Sequence, residues 1–297
     1  MPSARSAYTT APNVLSHRER ISDRIRRTSY EKIYDVLSDA CSSHDLSTDL
    51  SSYLVVLEAN AKRSFQVRLA SVYIFNLVYE HHLKDNYDRT VMFYELFCSP
   101  GFSRTPAGWL LDHLFHRLLR RGGQWPLSAL EEVSREKQIH WVTVPTARAT
   151  TTKYLLLSGS RSPCASIHGE SVHDPEIKPL KFVEYTPQDF DLRDNQYHKP
   201  VNRNEATFDS FIFVADSSLA IVFQAASSPR HTVKAQGFKR LRDMGIQEIW
   251  FIALTPPLTT VDLVVEDEAA HLVNKQYHLV VHPHQLNPPR RRSRSDL

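Results

Sequence analysis

Residues 208–254 are the stretch that leaves this chain the least conformational freedom. Two apolar runs, 208–214 and 219–225, are each strand-sized, and only Ala-Asp-Ser-Ser separates them, so they read as a hairpin. An amphipathic helix is expected over 232–244, stopped by Gly245, and another apolar strand over 248–254. Pro256–Pro257 then break the chain before two further strands at 261–265 and 278–281.

The rest of the 297 residues set the frame around that unit. With 41% hydrophobic and 23% charged residues, the chain can bury one large core or two modest ones. No apolar run approaches the roughly 18 residues needed to cross a bilayer, so no membrane span is expected. The first twenty residues hold no apolar block of the kind a secretion signal needs, and Cys41, Cys98 and Cys164 are far apart with no CxxC spacing. An intracellular protein with reduced thiols follows. The net charge of +3 is local, because the last ten residues, PPRRRSRSDL, hold four Arg and one Asp, and residues 1–287 therefore sum to zero. Such a tail suits nuclear import or attraction to phosphate.

Four segments are expected. Residues 1–28, polar and Arg-rich, read as a disordered leader, and 29–104 as a mainly helical piece with one strand at 53–57. In that piece apolar residues recur at helical spacing around Ile33, Val67–Val78 and Val91. An α/β domain follows over 105–287, and the basic tail is 288–297. The domain opens with a helix from Pro106, whose stripe Leu110, Leu111, Leu114, Phe115, Leu118 and Leu119 ends in Arg120–Arg121 and a Gly pair. Short strands are expected at 141–144, 154–157 and 182–185.

The chemistry-bearing residues gather around the hairpin. Asp209 begins one strand and Gln224 ends the next, which brings an acid and an amide side by side, with Val222, Gln224 and Ala226 on one face. His231 and Lys234 enter where the following helix begins. Histidine pairs such as His113/His116 lack the spacing and the Glu of a zinc helix, and no GxxxxGK[ST] phosphate loop occurs.

An Asp-bearing strand, a hairpin, an amide-ended strand with a nearby Lys, an amphipathic helix and an apolar strand together resemble the restriction-endonuclease-like PD-(D/E)xK core. The segments FDSFIF, LAIVFQAASSPRHTVKAQGFKRLRDMG and IWFIAL are similar to the nuclease-like region of Crinkler and RHS-type proteins. SPGFSRTPAGWLLDHLFHRLLRRGGQW resembles the linking segment upstream of it, and residues 50–98 the end of an ATPase module. The resemblance implies an α+β chain: a helical amino-terminal piece followed by a restriction-endonuclease-like α/β domain with a central mixed sheet.

It also implies Mg²⁺-dependent hydrolysis of DNA by an effector acting in the nucleus, with a protein partner supplying the missing ATPase. By position, Asp209 is the central metal ligand, Gln224 the second ligand and Asp112 the acid of the first helix. Lys234 or His231 offers the cation or base. Arg290, Arg291, Arg292 and Arg294 are the expected nucleic-acid contacts. Gln224 is neutral where the family more often has an acid, and Ala226 stands where its Lys belongs, so a non-catalytic module that binds nucleic acid or a protein is the competing expectation.

Overall fold

The computed structural model describes residues 14–43, 50–59, 65–143, 152–186, 191–201, 207–226 and 232–287. His231 and the four tail arginines, the sites expected at 231 and 290–294, lie outside them. The chain is α+β and divides into two compact units, Met1–Pro106 and Ala107–Leu297. Among the described residues no helix is long and apolar enough to cross a membrane.

The first unit holds α1 (Val14–Arg27), α2 (Tyr30–Ser43), the short α3 (Ser51–Leu54), β1 (Val55–Ala59), β2 (Phe65–Leu69), α4 (Val72–Val78) and α5 (Tyr87–Phe97). Two expectations are corrected here. Part of the supposed leader is helix α1, which buries Ile25 and lays Arg18 and Arg24 over the rings of Tyr73 and Tyr53. Val67 is not helical but lies on β2, antiparallel to β1, with Val67 and Leu69 buried and Arg68 exposed. The helix starts only after Ser71, whose side chain accepts the Ile74 amide and caps α4.

The second unit is a 12-stranded mixed sheet with helices on both faces. It begins with α6 (Thr105–Arg121), every leucine of whose apolar stripe is buried. Gly122 ends α6 in the left-handed region (φ 78°), with the Leu157 carbonyl so close that a Cβ would sit 2.7 Å from it. Then come β3 (Gly123–Arg135), β4 (Gln138–Thr143), β5 (Lys153–Leu157), β6 (Ala165–His168), β7 (Phe182–Tyr185), β8 (Gln196–Pro200), β9 (Ser210–Val214) and β10 (Leu219–Ala225). The chain closes with β11 (Thr232–Val233), α7 (Gln236–Asp243), β12 (Glu248–Thr255), β13 (Asp262–Val265), α8 (Asp267–Leu272), β14 (Lys275–Val280) and α9 (Pro283–Leu286).

Strand order in the main sheet is β11-β13-β4-β3-β14-β12-β10-β9-β8-β7, with β5 and β6 branching from β3. The meander β8-β9-β10 is antiparallel, and α7 carries the chain over to β12, parallel to β10. All seven residues of β10 are buried, as befits a strand covered on both faces. On one face Phe211, Val222, Ala226 and Phe251 join Phe238 and Leu241 of α7 in a single cluster. The other face, carrying Tyr197, Ile212 and Phe223, meets α6 through His116.

The helix expected over 232–244 is shorter, because Thr232–Val233 instead pair with Val264–Val265 as an edge strand. Lys234 therefore sits in the connection between β11 and α7, not on the helix.

Candidate functional site

Helix α6 and the amino-terminal end of β9 enclose a cavity of about 140 Å³, lined by Asp112, His113, Phe115, His116, Lys199, Pro200 and Asp209. Its helical wall follows from 3.6-residue periodicity. The leucine stripe turns into the core, which leaves Asp112 and His116, four residues apart, one above the other on the flank beside the sheet.

Asp209 reaches this cavity because the strand ladder is interrupted there. Ser210 is registered opposite Phe223, and the amide of Asp209 also donates to the Phe223 carbonyl at 2.9 Å. Two residues thus face one, the arrangement of a β-bulge, which re-aims a side chain at the end of a strand. The carboxylate is held by the Ala225 amide, which donates to Oδ2 at 2.7 Å. Burial pushes the Asp209 carboxyl up to about 6, against the downward pull of that hydrogen bond.

Gln224 falls elsewhere. It is buried, and strand alternation gives it the face of Val222 and Ala226, which pack toward α7, while Asp209 opens into the cavity on the α6 side. The expected side-by-side pair of Asp209 and Gln224 is adjacent along the backbone but does not share the cavity. Lys234 is exposed and does not line the cavity either. Asp112 does line it, so that Asp112 and Asp209 border one cavity.

Among the described residues that line the cavity the cation is Lys199 on β8, which sequence reasoning missed. It is about a third exposed and bridges Glu184 of β7 at 3.5 Å. Nothing in QYHKP signals a strand, so Lys199 carried no positional clue. Also missed was Tyr197, fully buried two residues earlier. Its hydroxyl donates to Ser210 Oγ at 2.6 Å and lies 2.7 Å from His116 Nδ1. Burial raises its phenol well above the ordinary range, so it stays a neutral hydrogen-bonding group.

The carboxylates of the cavity wall suit a hard cation, while His113 and His116 beside them are imidazoles of a kind that also suits zinc. Asp112 and Asp209 offer carboxylate oxygens, and Mg²⁺ is commonly held by one or two carboxylates with water and substrate phosphate completing its shell. Among the described residues no group of three or more His, Cys, Asp and Glu converges as a ready-made metal cage. The thiols of Cys98 and Cys164 are pushed up to about 12 by burial, which removes them as nucleophiles near neutrality. Comparison with known protein families, with curated proteins and with solved structures finds no match.

Proposed function

We propose that the cavity between α6 and β9 is the site of a Mg²⁺-dependent phosphodiester hydrolase of PD-(D/E)xK type acting on DNA. The observation that carries this reading is that Asp209, Asp112 and Lys199, two acids and one cation, line a single cavity. Support also comes from the order of elements around it: a helix bearing an acid, then, after the strands β3 to β8, an Asp placed just before a strand, a hairpin, a helix and an apolar strand.

In this reading Asp209 and Asp112 hold the cation, and Mg²⁺ supplies charge neutralisation and polarisation of the scissile phosphate. Lys199, from β8, takes the place sought at Lys234 and offsets charge that develops on the phosphate oxygens. Phe115 and Pro200 close the apolar wall and limit water around the reacting atoms. The arginines at 290–294 give a phosphate-seeking arm and suit nuclear import. A nucleotide-driven step, if any, falls to a partner.

A second reading is favoured by one observation: Gln224 and Ala226, the motif positions, are buried on the α7 side of the sheet. A module of this fold that binds nucleic acid without cutting it would look the same at those positions. Supercoiled plasmid incubated with the purified chain and Mg²⁺ separates the two. Nicking by the wild type that Asp209→Asn abolishes upholds the hydrolase. Nicking that survives Asp209→Asn removes Asp209 from the mechanism. Salt-sensitive DNA binding with no nicking supports the second reading.

A further inference from the structure

The main sheet ends in the edge strand β7, which carries a large apolar ring in view of solvent: Phe182 is 40% exposed. The ring is nonetheless held in place. Cζ of Arg120, on α6, lies 3.4 Å over its centroid, and the Leu180 amide donates to the Arg120 carbonyl at 2.7 Å. From β8 the Tyr197 amide donates to the Lys181 carbonyl at 2.9 Å, where the register of Phe182 with Tyr197 begins. Among the described residues the Arg120 guanidinium makes no hydrogen bond or ion pair, and its Nε is buried without a partner. Stacking uses the flat face of a guanidinium and leaves its N–H edge for an acceptor. Position ties this pair to the cavity. Phe182 and Glu184 share a face of β7, about 6.6 Å apart, and Glu184 is registered opposite Lys199 of the cavity wall.

We propose that this edge seats a single strand of DNA: Phe182 stacks a base, Arg120 and Lys199 take phosphates beside it, and the strand is led into the cavity. The proposal rests on the hydrolase reading and names its substrate as DNA with single-stranded character. In a duplex each base face is covered by its neighbours, so a ring fixed on a sheet edge reaches only a base out of the stack. Ring and base stack whatever the sequence, while the two cations answer the charge of the backbone. Glu184, whose carboxylate stands 3.5 Å from the Lys199 ammonium, is the group that an arriving phosphate displaces there.

The test titrates the full chain, in EDTA, against a fluorescein-labelled thymidine oligonucleotide, single or annealed to its complement, with anisotropy as the readout. Phe182→Leu keeps apolar bulk but removes the ring, and should weaken single-strand binding about tenfold while duplex binding stays unchanged. Phe182→Trp should restore the single-strand affinity. Lys199→Ala should flatten the dependence of log affinity on log salt by about 0.7 for the single strand, a slope that Phe182→Leu leaves alone. Wild-type single-strand affinity in Phe182→Leu, or an equal loss on duplex, overturns the seat. An unchanged salt slope in Lys199→Ala removes the lysine from it. Plasmid cleavage with Mg²⁺ is scored separately. Cleavage without any Phe182 effect overturns the seat and leaves the hydrolase reading standing. A Phe182 effect with no cleavage by any form upholds the seat in a binding module and marks failure of the hydrolase reading.

Discussion

Asp209 takes the amide hydrogen of Ala225 on Oδ2 at 2.7 Å, across the mouth of the hairpin that both residues close. One backbone donor does not replace the water this carboxylate gives up, and its carboxyl is raised to about 6. A raised carboxyl means that folding favours the protonated form. Its stabilising effect is fully present below the unfolded value of about 3.8 and is lost as pH rises through 6. At neutral pH the ionised acid is therefore a cost to the fold. Asp209→Asn keeps an oxygen for Ala225 and removes the charge. It should stabilise the protein by about 1 to 2 kcal/mol above pH 7 while abolishing cleavage, the advantage shrinking below pH 6. Urea unfolding at pH 7.5 and pH 5 checks this; equal stability of the two forms at pH 7.5 would contradict it.

Two histidines pull the other way. His278 is buried on β14 with Thr255 Oγ1 2.7 Å from Nε2, and His198 accepts the Arg193 amide at 3.0 Å while stacking on Phe211. Burial lowers both to about 4, from 6.5. A lowered imidazole gives stability that is present above 6.5 and lost as pH falls toward 4. Between pH 6 and 4.5 the unfolded chain carries about two protons on these histidines, while the folded chain carries about one, on Asp209. Stability should therefore fall by about 1.4 kcal/mol per pH unit, and by about twice that in Asp209→Asn. Chemical denaturation at half-unit steps of pH reads the two slopes directly, and parallel slopes would refute the opposition.

The lysine assignment has a direct comparison. Lys199→Ala should lower plasmid cleavage at least tenfold, since it removes the cation of the cavity. Lys234→Ala, an exposed position outside the cavity, should leave the rate within about twofold. The reverse ranking would return the cation to the connection before α7.

Gly237 has an ordinary backbone, yet no side chain fits there. An added Cβ would stand 2.7 Å from Cβ of Thr207 and 2.8 Å from the Phe208 ring. Its amide donates to Thr207 Oγ1 at 2.9 Å, which seats α7 beside the approach to Asp209. Gly237→Ala should cost about 1 to 3 kcal/mol by thermal unfolding. Thr207→Ala combined with it should cost less than the sum of the two single changes. Strict additivity would show that the contact is not what excludes a larger residue.

What the sequence disclosed depended on how directly a residue's neighbours in the chain decide its place. Strand 219–225 was legible because seven consecutive residues needed burial, and the leucine stripe of α6 because its period is helical. Asp112 came from the resemblance, as the acid of the first helix, and not from the stripe itself. The face of Asp209 was not legible, since a bulge depends on the hydrogen bonds of a partner strand. Lys199 and Tyr197 were hidden because β8 is polar in sequence and is a strand by virtue of its pairing with β7 and β9. Strand β3 was missed for a related reason: Pro126 argues against a strand, and its turn to β4 uses Glu136 and Lys137 in left-handed conformations where Asn-Gly would have been the signal.

That strand ties the second unit together. Within thirteen residues β3 pairs with β5 from Gly123 to Leu127, with β14 at Ser128 and Ala129, and with β4 from Leu130 onward. Peeling away either branch strips hydrogen bonds from a rod common to both. Amides of β5, β14 and β4 should accordingly exchange with deuterium in one concerted opening, so that the branched sheet yields as a whole or not at all.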